Sequence, residues 1–252
     1  MLRIGLLGCG NIGHILAQNA EGFVVSAVYD KVPERARDLA TTCHAKACDT
    51  FGDFLNADID LVVEAASVAA AREHAREVLR HKKDIVIMSV GALTDTAFKD
   101  ELVATARTTG TKIHIPSGAI FGLDNLKIGQ ISPIKKLLLV TTKSPQSLGL
   151  KTTKKERIFS GKAHECIKSY PKNVNVSIAL GLAAGQDADV ELWVDPAAER
   201  NVHEIYFEGS FGETYIRVTN LPSPDNPATS YLAALSILSL LKNLDSPLVI
   251  GT

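Results

Sequence analysis

Short apolar runs and amphipathic stretches alternate along the first half of the chain. The runs are RIGLLG, FVVSAVYD, DIDLVVEAAS, KDIVIMSVG and KIHIPSG. Between them, VPERARDLAT, VAAAREHAREVLRHK and DTAFKDELVATARTTG carry apolar residues at helical spacing. Strand and helix in this rhythm predict a doubly wound α/β layer, a parallel sheet covered on both faces.

After about residue 118 the pattern changes. KKLLLVTTK and ADVELWVD are longer strand-like runs, and VHEIYFEG and ETYIRVTN predict a hairpin turning through Gly209–Gly212. Helices are expected near residues 162–169 and 174–184. Antiparallel pairing mixed with helices makes this second part α+β. The last helix, in ATSYLAALSILSLLKNL, is apolar on almost every face over 231–241, so it must be buried between domains or in a subunit interface.

Composition narrows the classes. Of 252 residues, 46% are hydrophobic and 22% charged, and 27 Lys+Arg stand against 28 Asp+Glu. No basic block is present to track nucleic acid or an anionic membrane, so neither is an expected partner. No run reaches the length of a membrane span, and MLRIGLLGCG breaks into a Gly-rich turn too early for a signal-peptide core. Cys9, Cys43, Cys48 and Cys166 form no CxxC pair, which predicts a reducing cytoplasm. Cys43, His44 and Cys48 lack a partner cluster, so no metal site is expected.

The most informative local motif is GLLGCGNIG, in which Gly8, Gly10 and Gly13 follow a strand and open a helix. Gly8 permits a tight turn, Gly10 close approach to a pyrophosphate, and Gly13 tight helix–strand packing. The helix start, with Asn11 and Ile12, offers N–H groups to the phosphates. Asp30 ends the second strand, where a carboxylate accepts ribose hydroxyls or caps the next helix. These residues predict a Rossmann domain over 1–117 that binds NAD or NADP. Asp30 favours NAD by repelling a 2′-phosphate, and Lys31 and Arg35 soften that preference. The substrate and dimerisation domain then spans 118–227, with the helix in about 228–252 packing back near the first domain. Three strand ends rich in small residues point to the same crevice: EAAS with Ala66 and Ser67, MSVGA, and PSGAI with Ser117 and Ala119.

Two predicted helix starts in the second domain could hold an anion or be capped only. PDNPATSYLAALS puts Asn226 at an N-cap and Pro227 first, freeing the N–H groups of Ala228, Thr229 and Ser230. YPKNVNVSIALGLA offers Asn173 and Asn175. In RNVHEIYFEG, Ile205 and Phe207 point one way and Glu204, Tyr206 and Glu208 the other, with His203 at the strand mouth. Alone, that histidine reads first as an ordinary strand-end residue, solvated or satisfied by a backbone group, and only second as a catalytic one.

Taken together, GCGNIG, SVGAL, IPSGAIFGLD, TTKSP, YPKNVNVSIALGLA, DPAAERNVHEI and NPATSYLAALS resemble the L-aspartate dehydrogenase family, in order and over nearly the whole chain. The resemblance implies NAD(P)-dependent oxidation of L-aspartate to iminoaspartate, which hydrolyses to oxaloacetate and ammonia; some members supply the imine to NAD biosynthesis. It also implies a homodimer. It makes His203 the catalytic residue and Ala119 and Asn175 cofactor contacts, with Ser117, Asn173, Asn201, Thr229 and Ser230 left as candidate substrate contacts. Where NPATS has Ala228, the family often has a basic residue, so another donor must hold the substrate carboxylate. Removing the ammonium proton and activating water both suit a histidine with a pKa near 6.5, held by Asn201 or Glu204. Cyclic-imine reductases would need a paired-His stretch and sugar-type dehydrogenases a Lys-Pro turn, and neither is present. A non-catalytic NAD(H)-binding regulator, or a dehydrogenase for another small amino or imino acid, remains the alternative.

Overall fold

The computed structural model describes residues 1–170, 175–224 and 226–250. The chain forms two compact units, Met1–Pro116 with Ala234–Val249, and Ser117–Ala233 with Ile250–Thr252.

In the first unit, strand and helix alternate: β1 (Leu2–Leu7), α1 (Asn11–Gln18), β2 (Phe23–Tyr29), α2 (Pro33–Cys43), β3 (Lys46–Ala47), α3 (Phe51–Leu55), β4 (Leu61–Glu64), α4 (Val68–Arg80), β5 (Asp84–Ile87), α5 (Thr96–Thr109) and β6 (Ile113–His114). The six strands are parallel in the order β3-β2-β1-β4-β5-β6. Strand order reverses between β1 and β4, and a ligand of such a sheet lies beyond the strand carboxyl ends at that point. β4 is buried along its whole length, which is why LVVE and its neighbours read as unbroken apolar runs. Helix α4 is placed by an N-cap, Ser67 Oγ accepting from Ala70 N at 3.1 Å, and α5 ends at Gly110 in the left-handed region (φ 73°).

The second unit holds α6 (Leu123–Leu126), β7 (Ile134–Lys143), α7 (Pro145–Leu148), β8 (Glu156–Lys162), α8 (Ala163–Ser169), α9 (Asn175–Ala184), β9 (Asp189–Val194), β10 (Val202–Gly209), β11 (Gly212–Thr219), β12 (Pro222–Ser223) and β13 (Asn226–Ser230). The main sheet has the order β11-β10-β7-β9-β8, with only the β7–β9 pair parallel. Along β10 half-buried and buried residues alternate, so His203, Ile205 and Phe207 share the inner face.

One expected helix start is corrected. Residues 226–230 are the strand β13, paired antiparallel with β12, and helix α10 begins only at Tyr231 and runs to Leu244. Asn226 precedes a proline, which disfavours helical backbone at that residue, and β-branched Thr229 suits an extended strand. The N–H groups of Thr229 and Ser230 therefore lie in strand β13 and not in the first turn of a helix. On α10, Ala233, Ala234, Ile237, Leu238 and Leu241 are buried while Leu235 is 38% exposed. Its Lys242 Nζ reaches Glu21 Oε2 at 2.9 Å within the first unit.

Candidate active site

The predicted site residues are divided between the two units. In the first, backbone geometry does most of the shaping. Gly8 has φ +105°, and a Cβ there would lie 2.8 Å from the carbonyl of Ala65 and from Ala66 Cβ. A Cβ on Gly13 would lie 2.7 Å from Gly8 O. Both glycines are therefore demanded by the fold itself. Gly10 differs: its Cβ would meet nothing within 4 Å, so the backbone at the start of α1 faces open space. Gly10 is also the N-cap of α1 and makes no side-chain capping bond. A helix start without a capping side chain, beside a side-chain-free cradle, fits the pyrophosphate of a dinucleotide.

Asp30 is built into the same turn. Its Oδ2 accepts from Cys9 N at 2.8 Å and its Oδ1 from Val32 N at 2.9 Å. Each oxygen keeps a second lone pair, so the carboxylate can still accept a ribose hydroxyl. Cys9 is buried, and burial with the nearby Asp30 charge pushes its thiol up to about 12, so it stays protonated. Ala66 and Ser67 lie in the loop after β4, and their N–H groups both donate to Glu64 Oε1, at 2.9 and 3.0 Å.

In the second unit His203 is 5% exposed and sits opposite Thr141 in the β10–β7 register. The Nδ1 of His203 lies 2.9 Å from Thr141 Oγ1. Lys143, two residues further along β7, shares that face of the strand. The imidazole does not titrate near 6.5 as expected: burial, helped by the Lys143 charge, pushes it down to about 3, so the ring is neutral. The Lys143 ammonium is itself shifted down by burial. Neither expected partner holds the histidine side chain. Glu204 points to the other face, where its Oε1 accepts from the Tyr215 hydroxyl, and Asn201 accepts through its backbone carbonyl from Asn220 N at 2.9 Å.

Asn220 was not singled out in the sequence, yet it joins three residues that were. Its Nδ2 donates to Ala119 O at 3.0 Å, its Oδ1 accepts from Ser230 Oγ at 2.5 Å, and its N–H bonds Asn201. The side chain is 3% exposed. Thr141, Lys143 and Asn220 all stand at the ends of strand runs that the sequence makes visible, TTKSP and ETYIRVTN; only the register reveals that Thr141 faces His203. Ser117 is half-buried in the loop after β6, Asn175 is the exposed first residue of α9, and Thr229 is half-buried on β13. Asn173 lies outside the described residues.

Two family models match the chain. Residues 4–116 match the model of the homoserine dehydrogenase NAD-binding domain, and residues 124–244 match that of the aspartate dehydrogenase C-terminal domain. The L-aspartate dehydrogenase of Methanospirillum hungatei is 60% identical over 252 residues, covering 100% of both chains. The chain belongs to the L-aspartate dehydrogenase family. The L-aspartate dehydrogenase of Methanothermobacter thermautotrophicus is 41% identical over 260 residues, covering 100% of this chain and 99% of its own. The crystal structure of aspartate dehydrogenase from Thermotoga maritima matches with a TM-score of 0.83 at 28% identity, covering 100% of both chains. As a member of this family the chain is a dehydrogenase that uses a nicotinamide dinucleotide.

Proposed function

We propose that this protein oxidises L-aspartate with NAD or NADP, giving iminoaspartate, which hydrolyses to oxaloacetate and ammonia. The observation that carries the reading is a buried, neutral histidine on β10, fixed by Thr141 and standing beside Lys143. Bound NAD(P) supplies the hydride acceptor. The chain's own groups do the rest. Hydride leaves Cα only from the neutral amine, so a base must first remove an ammonium proton. With Nδ1–H donating to Thr141 Oγ1, the lone pair of His203 Nε2 is open to take it. A pKa of about 3 makes the ring a weak base before substrate arrives. Two incoming carboxylates beside it raise that basicity, because negative charge favours the imidazolium. Once it has released that proton to solvent, the same ring, neutral again, activates the water that attacks the imine.

Lys143 takes the anion-holding role for which the helix start at 226–230 is unsuited. Ser117, Asn201, Thr229 and Ser230 are the polar groups assigned to the substrate; Gly8, Gly10, Asn11, Ile12, Gly13, Asp30, Ala66 and Ser67 of the first unit and Ala119 and Asn175 of the second are assigned to the cofactor. The first unit thus serves as the cofactor domain and the second as the substrate domain. Asp30 gives the preference for NAD. The outer face of the second unit's sheet carries half-exposed Trp193 and Tyr206 and 52% exposed Tyr215, a surface suited to a homodimer. Four free cysteines, and no described helix long and apolar enough to cross a membrane, support a cytoplasmic setting.

The test follows reduced cofactor by absorbance with purified protein, NAD or NADP, and a panel of L-amino acids, and in reverse with oxaloacetate and ammonia. Turnover concentrated on L-aspartate is expected. Turnover of another amino acid in its place would overturn the substrate, and tight cofactor binding with no turnover would overturn the reaction.

A further inference from the structure

Glu64 is the last residue of β4, beside the point where strand order reverses, and its side chain is 0% exposed. A carboxylate that deeply buried needs donors to replace its hydration. It has four. Oε1 accepts from Ala66 N at 2.9 Å, Ser67 N at 3.0 Å and Ser89 Oγ at 2.9 Å, and Oε2 accepts from Ser89 N at 3.0 Å. Ala66 and Ser67 belong to the loop after β4, and Ser89 to the loop after β5. The first loop is the one against which the Gly8 turn packs without room for a Cβ. One carboxylate therefore ties two loops together, and the glycine turn rests on one of them.

All four partners are donors, and that fixes what the position requires. Only an ionised carboxylate is acceptor-only at both oxygens. Burial outweighs the opposing bonds from Ser89, Ala66 and Ser67 and holds the carboxyl above its usual range, so it is the four donors around its oxygens that mark the acceptor role. The isosteric amide keeps one acceptor but turns an NH2 group toward a donor, leaving a buried pair of N–H groups facing each other.

We propose that Glu64 is a positioning residue for the dinucleotide: its carboxylate holds the loops after β4 and β5 in the conformation that receives the cofactor, acting through their backbone rather than by touching it. The proposal rests on cofactor use alone and is independent of the substrate reading. Consistent with this, Glu64 has no exposed surface to offer a ligand, whereas Ser67, whose N–H it fixes, is exposed and caps α4.

The experiment measures NADH binding by fluorescence, without substrate, for wild type, Glu64→Gln, Ser89→Ala and the double variant, alongside thermal unfolding and steady-state kinetics. Glu64→Gln is expected to weaken NADH binding at least 10-fold and Ser89→Ala about 3-fold. In the Glu64→Gln background, Ser89→Ala should add less than 2-fold, because Ser89 works through the carboxylate. The KM for cofactor should rise while kcat at saturation and the KM for substrate stay within 3-fold. Glu64→Asp, which keeps the acceptors on a shorter arm, should recover part of the affinity. A role in stability alone would lower the melting temperature and leave the affinity of the folded protein unchanged; NADH bound within 2-fold of wild type by both single variants overturns the proposal. Should Glu64→Gln fail to fold, Ser89→Ala decides, and unchanged affinity there overturns it equally. Loss of NADH binding in the variants, in a protein with no turnover of aspartate, would leave the Glu64 role standing and sink the substrate.

Discussion

The site residues of the two units are made of different materials. In the first unit the site is a backbone surface: glycines whose positions are set by contacts under 3 Å, an uncapped helix start, and carboxylates at Asp30 and Glu64 that accept from main-chain N–H groups. In the second unit it is a side-chain surface, in which Thr141, His203, Asn220 and Ser230 come from three strands and the residue after a fourth. The first design tolerates little change in chain path but is indifferent to most side chains. The second depends on a few functional groups held by register. Each variant below tests whether damage falls where that contrast puts it.

The largest effect is expected at His203. His203→Ala should lower turnover at least 100-fold, the low end for a general acid–base group, while NADH binding by fluorescence stays within 2-fold of wild type. More than a tenth of wild-type turnover would remove the catalytic assignment. Next is Lys143→Met, which keeps the apolar stem and removes the charge. It should raise the KM for aspartate by about 10- to 100-fold, the 1.4–2.8 kcal/mol expected of one charge-assisted contact, with less effect on kcat; unchanged KM means that the carboxylate is held elsewhere.

The glycines sharpen the contrast from the other side. Gly13→Ala pushes a methyl to 2.7 Å from a backbone oxygen, so both the melting temperature and NADH affinity should fall, at a cost of about 1–3 kcal/mol. Gly10→Ala meets nothing in the protein, so affinity should fall with the melting temperature unchanged. If the two behave alike, the open space beside Gly10 is not where the cofactor lies.

The last effect, spread over the acid range, is on stability against pH. The folded-state pKa of His203 is depressed, so its neutral form stabilises the fold fully above pH 6.5, and that contribution is lost as pH falls toward about 3. The loss is about 1.4 kcal/mol for each pH unit below 6.5. Denaturant unfolding at pH 7, 6 and 5 should fall more steeply for wild type than for His203→Gln. His74 and His114 are also shifted down by burial and add to the background slope of both proteins.

The same contrast explains what the sequence discloses. The first unit's strands announce themselves, because parallel strands buried on both faces are unbroken apolar runs, and the glycine spacing marks the turn. Glu64 escaped notice because a carboxylate ending an apolar strand reads as a solvated residue until its donors are known. In the second unit the hairpin and the helix at 163–169 were legible from alternation and periodicity, but β8 was not: its residues, ERIFSGK, are exposed or half-buried and show no clean alternation. The helix start placed at Asn226 relied on capping signals, and a short strand pairing claimed the same residues. His203 stood out only as a residue type. Its neutrality depends on burial and, less, on a lysine charge across the sheet, and its orientation on Thr141, some 60 positions earlier, none of which local pattern contains.

The antiparallel register that sets His203 against Thr141 has a consequence for how this chain can be altered. Side chains alternate faces along β10, so inserting one residue between Gly209 and His203 and re-pairing the strand would turn the imidazole to the outer face and bring Glu204 inward. Two inserted residues would restore the facing. Lengthening the turn between Gly209 and Gly212 would leave the pairing untouched. Tolerance to insertion should thus alternate with parity inside the strand and be broad at its tip, which makes the hairpin tip the place to attach a tag or graft a loop.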